Sequence, residues 1–144
     1  MNATLTRWTV PCLAALGLGD AAYLAVLHWV GEPPPCGGYS GCADVNYSPF
    51  AEIFGIPVAA LGTLLYAALL AIGLMRTRTV GVAWSRATLS LYGLVLSGAV
   101  FMAYLTAVEL FVLHALCYWC VALATITLLL LVLLARDVWL VGTG

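Results

Sequence analysis

Cysteines are the residues most able to do chemistry in this sequence, and their spacing favours redox work. The chain has five of them: Cys12, Cys36, Cys42, Cys117 and Cys120. The last two form a CxxC pair, and because residues i and i+3 share a helix face, their sulfur atoms can meet. At a helix start the free N–H groups and the macrodipole favour a thiolate. This spacing is typical of a redox-active dithiol.

A second pair, Cys36 and Cys42, lies in a glycine-rich stretch and could exchange electrons with the first. A pair in a water-facing loop can meet a soluble protein, while a pair at the head of a membrane helix can meet a lipid-dissolved carrier. Thiol–disulfide exchange would connect the two pairs. Two alternatives stay open, namely a scaffold stapled by structural disulfides and a four-cysteine zinc site. Cys12 has no partner and is expected to be a small packing residue.

The composition indicates that these cysteines are held in a membrane protein. Of 144 residues, 65% are hydrophobic and 8% are charged, and the mean hydropathy is +1.10. A soluble domain has about 25% charged residues, so a bilayer is the expected solvent. The net charge of -1 excludes the basic stripe that nucleic-acid binding requires. No polar stretch is long enough to build its own core, so we expect one membrane domain, residues 1–144.

Four apolar segments predict an all-α bundle of four transmembrane helices. They cover residues 8–30, 57–75, 87–110 and 114–134, and each approaches the ~20 residues that cross the hydrocarbon core. Each must be helical, because lipid offers no partner to an unpaired backbone group. An extracytoplasmic loop, residues 31–56, separates the first two helices. Within it, Ser48 followed by Pro49 predicts the start of a short interfacial helix.

The basic residues predict how the bundle is oriented. All five arginines fall on one side of the four predicted helices: Arg7, Arg76, Arg78, Arg86 and Arg136. The opposite side has no arginine and carries Glu32, Asp44 and Glu52. By the positive-inside rule, both termini are cytoplasmic and the cysteine pairs face the extracytoplasmic side. That compartment is normally oxidising, so disulfides can form and persist there.

These residues together resemble the vitamin K epoxide reductase family over the whole four-helix core. The similarity rests on Cys36 and Cys42, Ser48 six positions later, the Phe-Gly-Ile-Pro run at 54–57, and the CxxC motif. Residues 19–24, with His28 beyond them, are similar to the first helix of bacterial members. The resemblance implies a multi-pass enzyme of the cell's inner membrane that oxidises a thioredoxin-like protein and reduces a quinone. The expected cofactor is a quinone of the ubiquinone, menaquinone or vitamin K type.

The resemblance also implies roles for particular residues. Cys36 and Cys42 correspond to the shuttle pair of the loop, Cys117 and Cys120 to the pair beside the quinone, and Ser48 to a serine that supports the site. Three loop residues are candidates to relay protons to the quinol: Ser48, Asp44 and Glu52. Two aromatic residues could line a flat quinone pocket: Phe54, which belongs to the motif, and Tyr104. No metal site is expected.

Departures from the family pattern limit what the resemblance implies. Cys36 and Cys42 enclose five residues, whereas the family loop usually encloses seven. The asparagine and tyrosine that hydrogen-bond the quinone in animal enzymes align with Ala51 and Ala124, which puts epoxide reduction in doubt. Reduction of vitamin K quinone or its epoxide stays an alternative. The sequence ends soon after the fourth helix, so we expect a separate DsbA-like, thioredoxin-fold partner.

Four polar residues near or within the predicted helices have open roles. Asp20 lies near mid-membrane, where a carboxylate is costly, so either it has a function or it is neutral or capped by a neighbouring helix. Glu109, at the outer end of the third helix, is equally consistent with an interfacial residue and with a proton acceptor. His28 and His114 are expected to be interfacial anchors.

Overall fold

Four long helices form the body of the protein in the computed structural model, which describes residues 3–36 and 41–144. All four are long and apolar enough to cross a bilayer. This confirms the predicted four-helix membrane protein. The helices are α1 (Ala3–Val30), α3 (Val58–Arg78), α4 (Gly81–Val108) and α5 (Tyr118–Thr143), with a short α2 (Gly41–Asn46) between the first two.

Most helix ends extend beyond the predicted apolar segments. α1 begins before residue 8, α4 begins at Gly81 instead of residue 87, and α5 continues to Thr143 instead of ending at 134. Polar residues marked the predicted ends, but a helix pairs its backbone groups internally and can continue from lipid into water. Only two residues, Thr79 and Val80, separate α3 from α4.

The connection from α4 to α5 is longer than predicted, so the last helix begins later than predicted. After Val108 the helix widens into a π-helical segment, Glu109–Leu113. His114 then adopts the left-handed conformation, with φ of 50°, which stops the helix. Residues 115–117 are not helical. The fourth transmembrane helix therefore begins at Tyr118 and not at residue 114.

The loop between α1 and α3 contains less helix at its second half than predicted. Pro49–Ala51 forms a single 3-10 turn, and Glu52–Ile53 then pairs antiparallel with Ile56–Pro57. Phe54 and Gly55, which join these strands, both have positive φ, 53° and 79°. Two such residues make a tight hairpin turn and interrupt a helix. The Ser48 hydroxyl donates to the Val45 carbonyl and does not cap the turn.

The core lies where α1 packs against α3 and where α5 packs against α4 and α1. Tyr66 of α3 is the largest aromatic side chain that is fully buried there. Its ring lies directly against Gly17 of α1, and a Cβ atom at that position would overlap the ring. Gly17 therefore permits a close approach of the two helices, as small residues commonly do between membrane helices.

One end of the bundle, which we call the arginine face, is formed by the start of α1, the α3–α4 turn and the end of α5. There the Arg76 guanidinium is only 1% exposed, pairs with the Asp137 carboxylate of α5, and lies 4.9 Å from the centre of the Trp84 ring. Arg7 donates to the Thr79 carbonyl at 2.8 Å. The opposite end, the cysteine face, is formed by α2, the hairpin, the π-helical segment and the start of α5.

Candidate functional site

The CxxC pair lies at the start of α5 on the cysteine face. Cys117 occupies the N-cap position with an extended backbone, and Cys120 falls in the first helical turn. Both are free thiols, with Cys117 buried and Cys120 half-buried. The Cys120 thiol, which donates a hydrogen bond to the Cys117 sulfur, lowers the pKa of Cys117 below its ordinary value. In the reduced pair, Cys117 is therefore the sulfur that ionises more easily, and Cys120 holds its proton.

The loop pair is joined as a disulfide between Cys36 and Cys42, with their α-carbons 6.3 Å apart. Cys42 is fully buried in the first turn of α2, whereas Cys36 is half-buried at the end of the proline-rich entry. The turn expected at Gly37 and Gly38 lies outside the described residues. With both sulfurs bonded to each other, this pair offers no thiolate to a metal ion, and the described residues contain no group of three metal-binding side chains.

A hydrogen bond holds the two cysteine pairs at the same end of the bundle. Trp119, inside the CxxC motif, donates from Nε1 to the carbonyl of Pro35 at 3.0 Å, and Pro35 directly precedes Cys36. The Trp119 ring also packs on Tyr23, with ring centres 5.0 Å apart. Trp119 therefore connects the entry to the loop disulfide with the first turn of α5.

An apolar cavity of about 320 Å³ opens beside Cys120, between α1, α3, α4 and α5. This volume lies within the range of small-ligand sites. Most of its wall is aliphatic or aromatic, including Leu24, Phe50, Phe101 and Met102. At its inner end Tyr66 and Thr127 share a hydrogen bond of 2.7 Å. A predominantly apolar cavity with few polar groups and a thiol in its wall fits a flat quinone ring.

The predicted proton-relay residues occupy different positions relative to this cavity. Ser48 lines it. Asp44 and Glu52 are exposed on the loop and do not form part of its wall. Glu52 instead accepts a 2.8 Å hydrogen bond from His28 Nε2. The other ring nitrogen, Nδ1, lies 3.0 Å from the Asn46 carbonyl, so His28 ties α1 to both the end of α2 and the hairpin and is more than an interfacial anchor.

The two aromatics predicted to line a quinone pocket, Phe54 and Tyr104, are not part of the wall of this cavity. Phe54 is 100% exposed at the tip of the hairpin, because the turn that replaces the expected helix directs it away from the bundle. Tyr104 is 53% exposed on the outer surface of α4. It contacts Phe101, with ring centres 6.2 Å apart, and Phe101 is the α4 aromatic that faces the cavity.

Glu109 is the acidic side chain nearest the CxxC pair, and the sequence left its role open. It is 4% exposed and lines the cavity. Its Oε2 accepts the Cys117 backbone N–H at 3.4 Å, and its carboxylate also forms a hydrogen bond with the Cys120 side chain. The signal that could have identified it is a carboxylate at the end of an apolar helix, eight positions before a CxxC motif.

Two other polar or reactive residues, Asp20 and Cys12, do not line the cavity. The Asp20 oxygen Oδ1 is buried without a hydrogen-bond partner among the described residues, and Asp20 does not line the cavity. Cys12, which was expected to be a small packing residue, is exposed on α1 and is not part of the core. Its small apolar side chain faces outward, where lipid is a suitable solvent.

Comparison with known proteins agrees with this arrangement of cysteines and helices. A sequence model of the vitamin K epoxide reductase family matches residues 8–135, which spans all four membrane helices and both cysteine pairs. No individual curated protein matches the chain. Since the family match covers most of the 144 residues, it identifies a membrane oxidoreductase that works through cysteines. The chain belongs to the vitamin K epoxide reductase family.

Proposed function

We propose that this protein is a membrane thiol oxidase that makes disulfides in a thioredoxin-like partner and passes the electrons through its two cysteine pairs to a quinone. One observation carries the proposal: Cys120 lies in the wall of the apolar cavity, while its neighbour Trp119 is hydrogen-bonded to the residue that precedes the Cys36–Cys42 disulfide. An electron route from the loop to the cavity would therefore need no large rearrangement of the helices.

Electrons enter at the loop disulfide. Of the two cysteines in this disulfide, Cys36 is the more exposed. A partner thiolate therefore bonds to the Cys36 sulfur and releases Cys42 as a thiolate. The second partner thiol then closes the partner's own disulfide and frees Cys36. Each exchange forms one S–S bond and breaks one, so two electrons now reside on the loop pair.

The buried Cys42 passes these electrons inward. It attacks Cys117 of an oxidised Cys117–Cys120 pair, which releases Cys120 as a thiolate beside the cavity. Cys36 then gives its proton to the Cys120 thiolate and attacks Cys42, restoring the loop disulfide and freeing Cys117. The lowered pKa of Cys117 favours it as the leaving sulfur in this exchange. The product is the combination present in the structure, an oxidised loop pair with a reduced CxxC pair.

The quinone, when bound, supplies a two-electron acceptor for the reduced pair. The residues that would hold it are the cavity-lining side chains, chiefly Phe50, Phe101 and Met102, whose apolar surface excludes water. The Tyr66–Thr127 pair lies at the inner end, where it could accept or donate to a polar ring substituent. Ser48 is the loop residue placed to support the site from above the cavity.

The proposed orientation puts the cysteine face on the extracytoplasmic side of the inner membrane and both termini in the cytoplasm. The segregation of every arginine to one side of the helices supports this arrangement. It places the loop disulfide in the compartment where soluble thioredoxin-like oxidases work.

The first experiment measures quinone reduction by the purified protein in detergent, with a reduced thioredoxin-like protein as electron donor. Ubiquinone and menaquinone analogues are each tested. Wild type is compared with Cys120→Ala and with Cys12→Ala, a matched control in which an exposed cysteine on α1 is removed. We expect turnover in wild type and the control and none above background in Cys120→Ala. Folded wild-type protein that reduces neither quinone would support a disulfide-stapled scaffold instead.

A further inference from the structure

We propose that Glu109 is the proton-transfer residue of the CxxC pair, taking the proton from Cys120 as the pair is oxidised and delivering it to the electron acceptor. This rests on the proposed function and adds to it the route of the proton. The juxtaposition that carries it is a buried carboxylate that contacts both members of the CxxC pair and also lines the cavity.

The position of the proton creates the need for such a residue. In the reduced pair Cys120 carries the hydrogen, and its side chain interacts with the Cys117 sulfur and with the Glu109 carboxylate. Cys120 is also the cysteine that lines the cavity, so the sulfur closest to the acceptor is the one that still carries hydrogen. Its proton must leave before or as its electrons do, and a carboxylate in hydrogen-bonding contact is suited to accept it.

The balance of the reaction assigns each proton and electron. Oxidation of the pair joins the Cys117 and Cys120 sulfurs and releases two electrons, which a quinone accepts. The two thiols also release two protons, and a quinol needs two. Glu109 takes the Cys120 proton and gives it to a quinone oxygen, while the proton from Cys117 supplies the other. Glu109 therefore returns to its starting ionisation state after each cycle.

The backbone explains why Glu109 reaches the Cys117 N–H and the Cys120 side chain. The π-helical segment begins at Glu109, and the N–H of Ala115 bonds to the Glu109 carbonyl at 3.0 Å. This widened turn closes the chain over the carboxylate, so that Cys117 N–H points back to it. π-helical turns within α-helices frequently occur at functional sites. The carboxylates predicted from the loop, Asp44 and Glu52, lie outside the cavity wall.

The test uses Glu109→Gln, which keeps the size and a hydrogen-bond acceptor for the Cys117 N–H but cannot accept a proton. The matched control is Glu32→Gln, because Glu32 is an exposed glutamate at the start of the loop that follows α1. The loss of quinone reduction expected in Glu109→Gln is about 100-fold or more, the usual range for general acid–base groups. In Glu109→Gln, alkylation of the loop cysteines after mixing with the reduced partner should show that thiol exchange between the partner and the loop pair is intact.

A second readout does not depend on a quinone. In a background of Cys12→Ala, Cys36→Ser and Cys42→Ser, the ultraviolet absorbance of the thiolate reports ionisation of the remaining pair against pH. Glu109→Gln should move the midpoint to lower pH, because a negative charge near Cys117 opposes its ionisation. Asp20 also influences Cys120 electrostatically, so Asp20→Asn is titrated beside it. Glu109→Asp, which keeps a carboxylate, should retain the parent midpoint and part of the rate.

The outcomes separate the two proposals. Wild type that reduces no quinone contradicts the proposed function, whatever the titration shows. Active wild type with Glu109→Gln within about threefold of its rate, a difference too small for a proton-transfer group, overturns the role of Glu109. An unmoved thiolate midpoint in folded Glu109→Gln also overturns it, since the carboxylate would then not interact with the pair.

Discussion

The two ends of the bundle place their polar groups in opposite ways. At the arginine face, charged groups are buried against each other: Arg76 pairs with Asp137 and lies over Trp84. At the cysteine face, a mainly apolar cavity is left open, and polar side chains connect different segments, as His28 does between α1 and the hairpin. The first arrangement fills space, and the second leaves about 320 Å³ open.

This difference shows how a small membrane protein separates stability from chemistry. A buried ion pair whose partners lie on α3 and α5 holds these helices together at a point far from the sulfur atoms. The cysteine face can then keep a cavity and an exchangeable disulfide without serving as the main support of the bundle. Changes at the arginine face should therefore affect stability more, and changes at the cysteine face should affect electron transfer more.

The largest effect is expected from Asp137→Ala at the arginine face. Removal of one partner leaves Arg76 buried with an uncompensated charge, which costs about 3–5 kcal/mol in comparable buried pairs. Thermal unfolding in detergent should show a large fall in midpoint, while Arg78→Ala, a change at an exposed arginine of the same helix end, should not. Equal midpoints for the two variants would contradict a stabilising role for the pair.

A smaller effect, confined to activity, is expected from Phe101→Ala in the cavity. If the proposed quinone occupies this cavity, loss of the apolar ring of Phe101 from its wall should raise the KM for quinone by about tenfold, equivalent to ~1.4 kcal/mol. Phe54→Ala is the matched control, because this ring is fully exposed at the hairpin tip. A quinone KM that rises for Phe54→Ala and not for Phe101→Ala would place the quinone elsewhere.

The smallest effect is expected from Trp119→Phe, which keeps an aromatic ring against Tyr23 but removes the hydrogen bond to Pro35. One such bond contributes about 0.5–1.5 kcal/mol, so transfer from the loop pair to the CxxC pair should slow by roughly twofold to tenfold. Rapid alkylation of the cysteines after mixing with reduced partner measures that step. Trp139→Phe, at an exposed tryptophan, should be unchanged; a similar slowing in both variants would count against the Trp119 contact.

Sequence patterns predicted the four helices well because membrane spans depend on long apolar runs, which are local. The CxxC motif and the loop pair are also local, and both are found at one end of the bundle. The hairpin was not predicted, since it depends on a positive φ at Phe54, a residue type that rarely adopts it. Because of this turn, Phe54 lies outside the wall of the cavity.

The rest of the site depends on contacts between distant segments. The Trp119–Pro35 hydrogen bond joins residues 84 positions apart, and no local pattern specifies it. The burial of Arg76 was also hidden, because the sequence presented it as one of several boundary arginines. Glu109 was noticed as a carboxylate in an apolar helix, but its contact with Cys117 depends on the π-helical turn, which has no clear sequence signal.

The pair between Arg76 and Asp137 also has a consequence for biogenesis. Arg76 lies in the last turn of α3, and Asp137 lies near the end of α5, 61 residues later. During synthesis on the ribosome, α3 and α4 are therefore made while the guanidinium still lacks its counter-ion. Only when the last helix has been inserted can the pair form. Nascent chains that stop before Asp137 would retain an uncompensated cation between their helices, a feature by which membrane quality-control proteases could distinguish them from the complete chain.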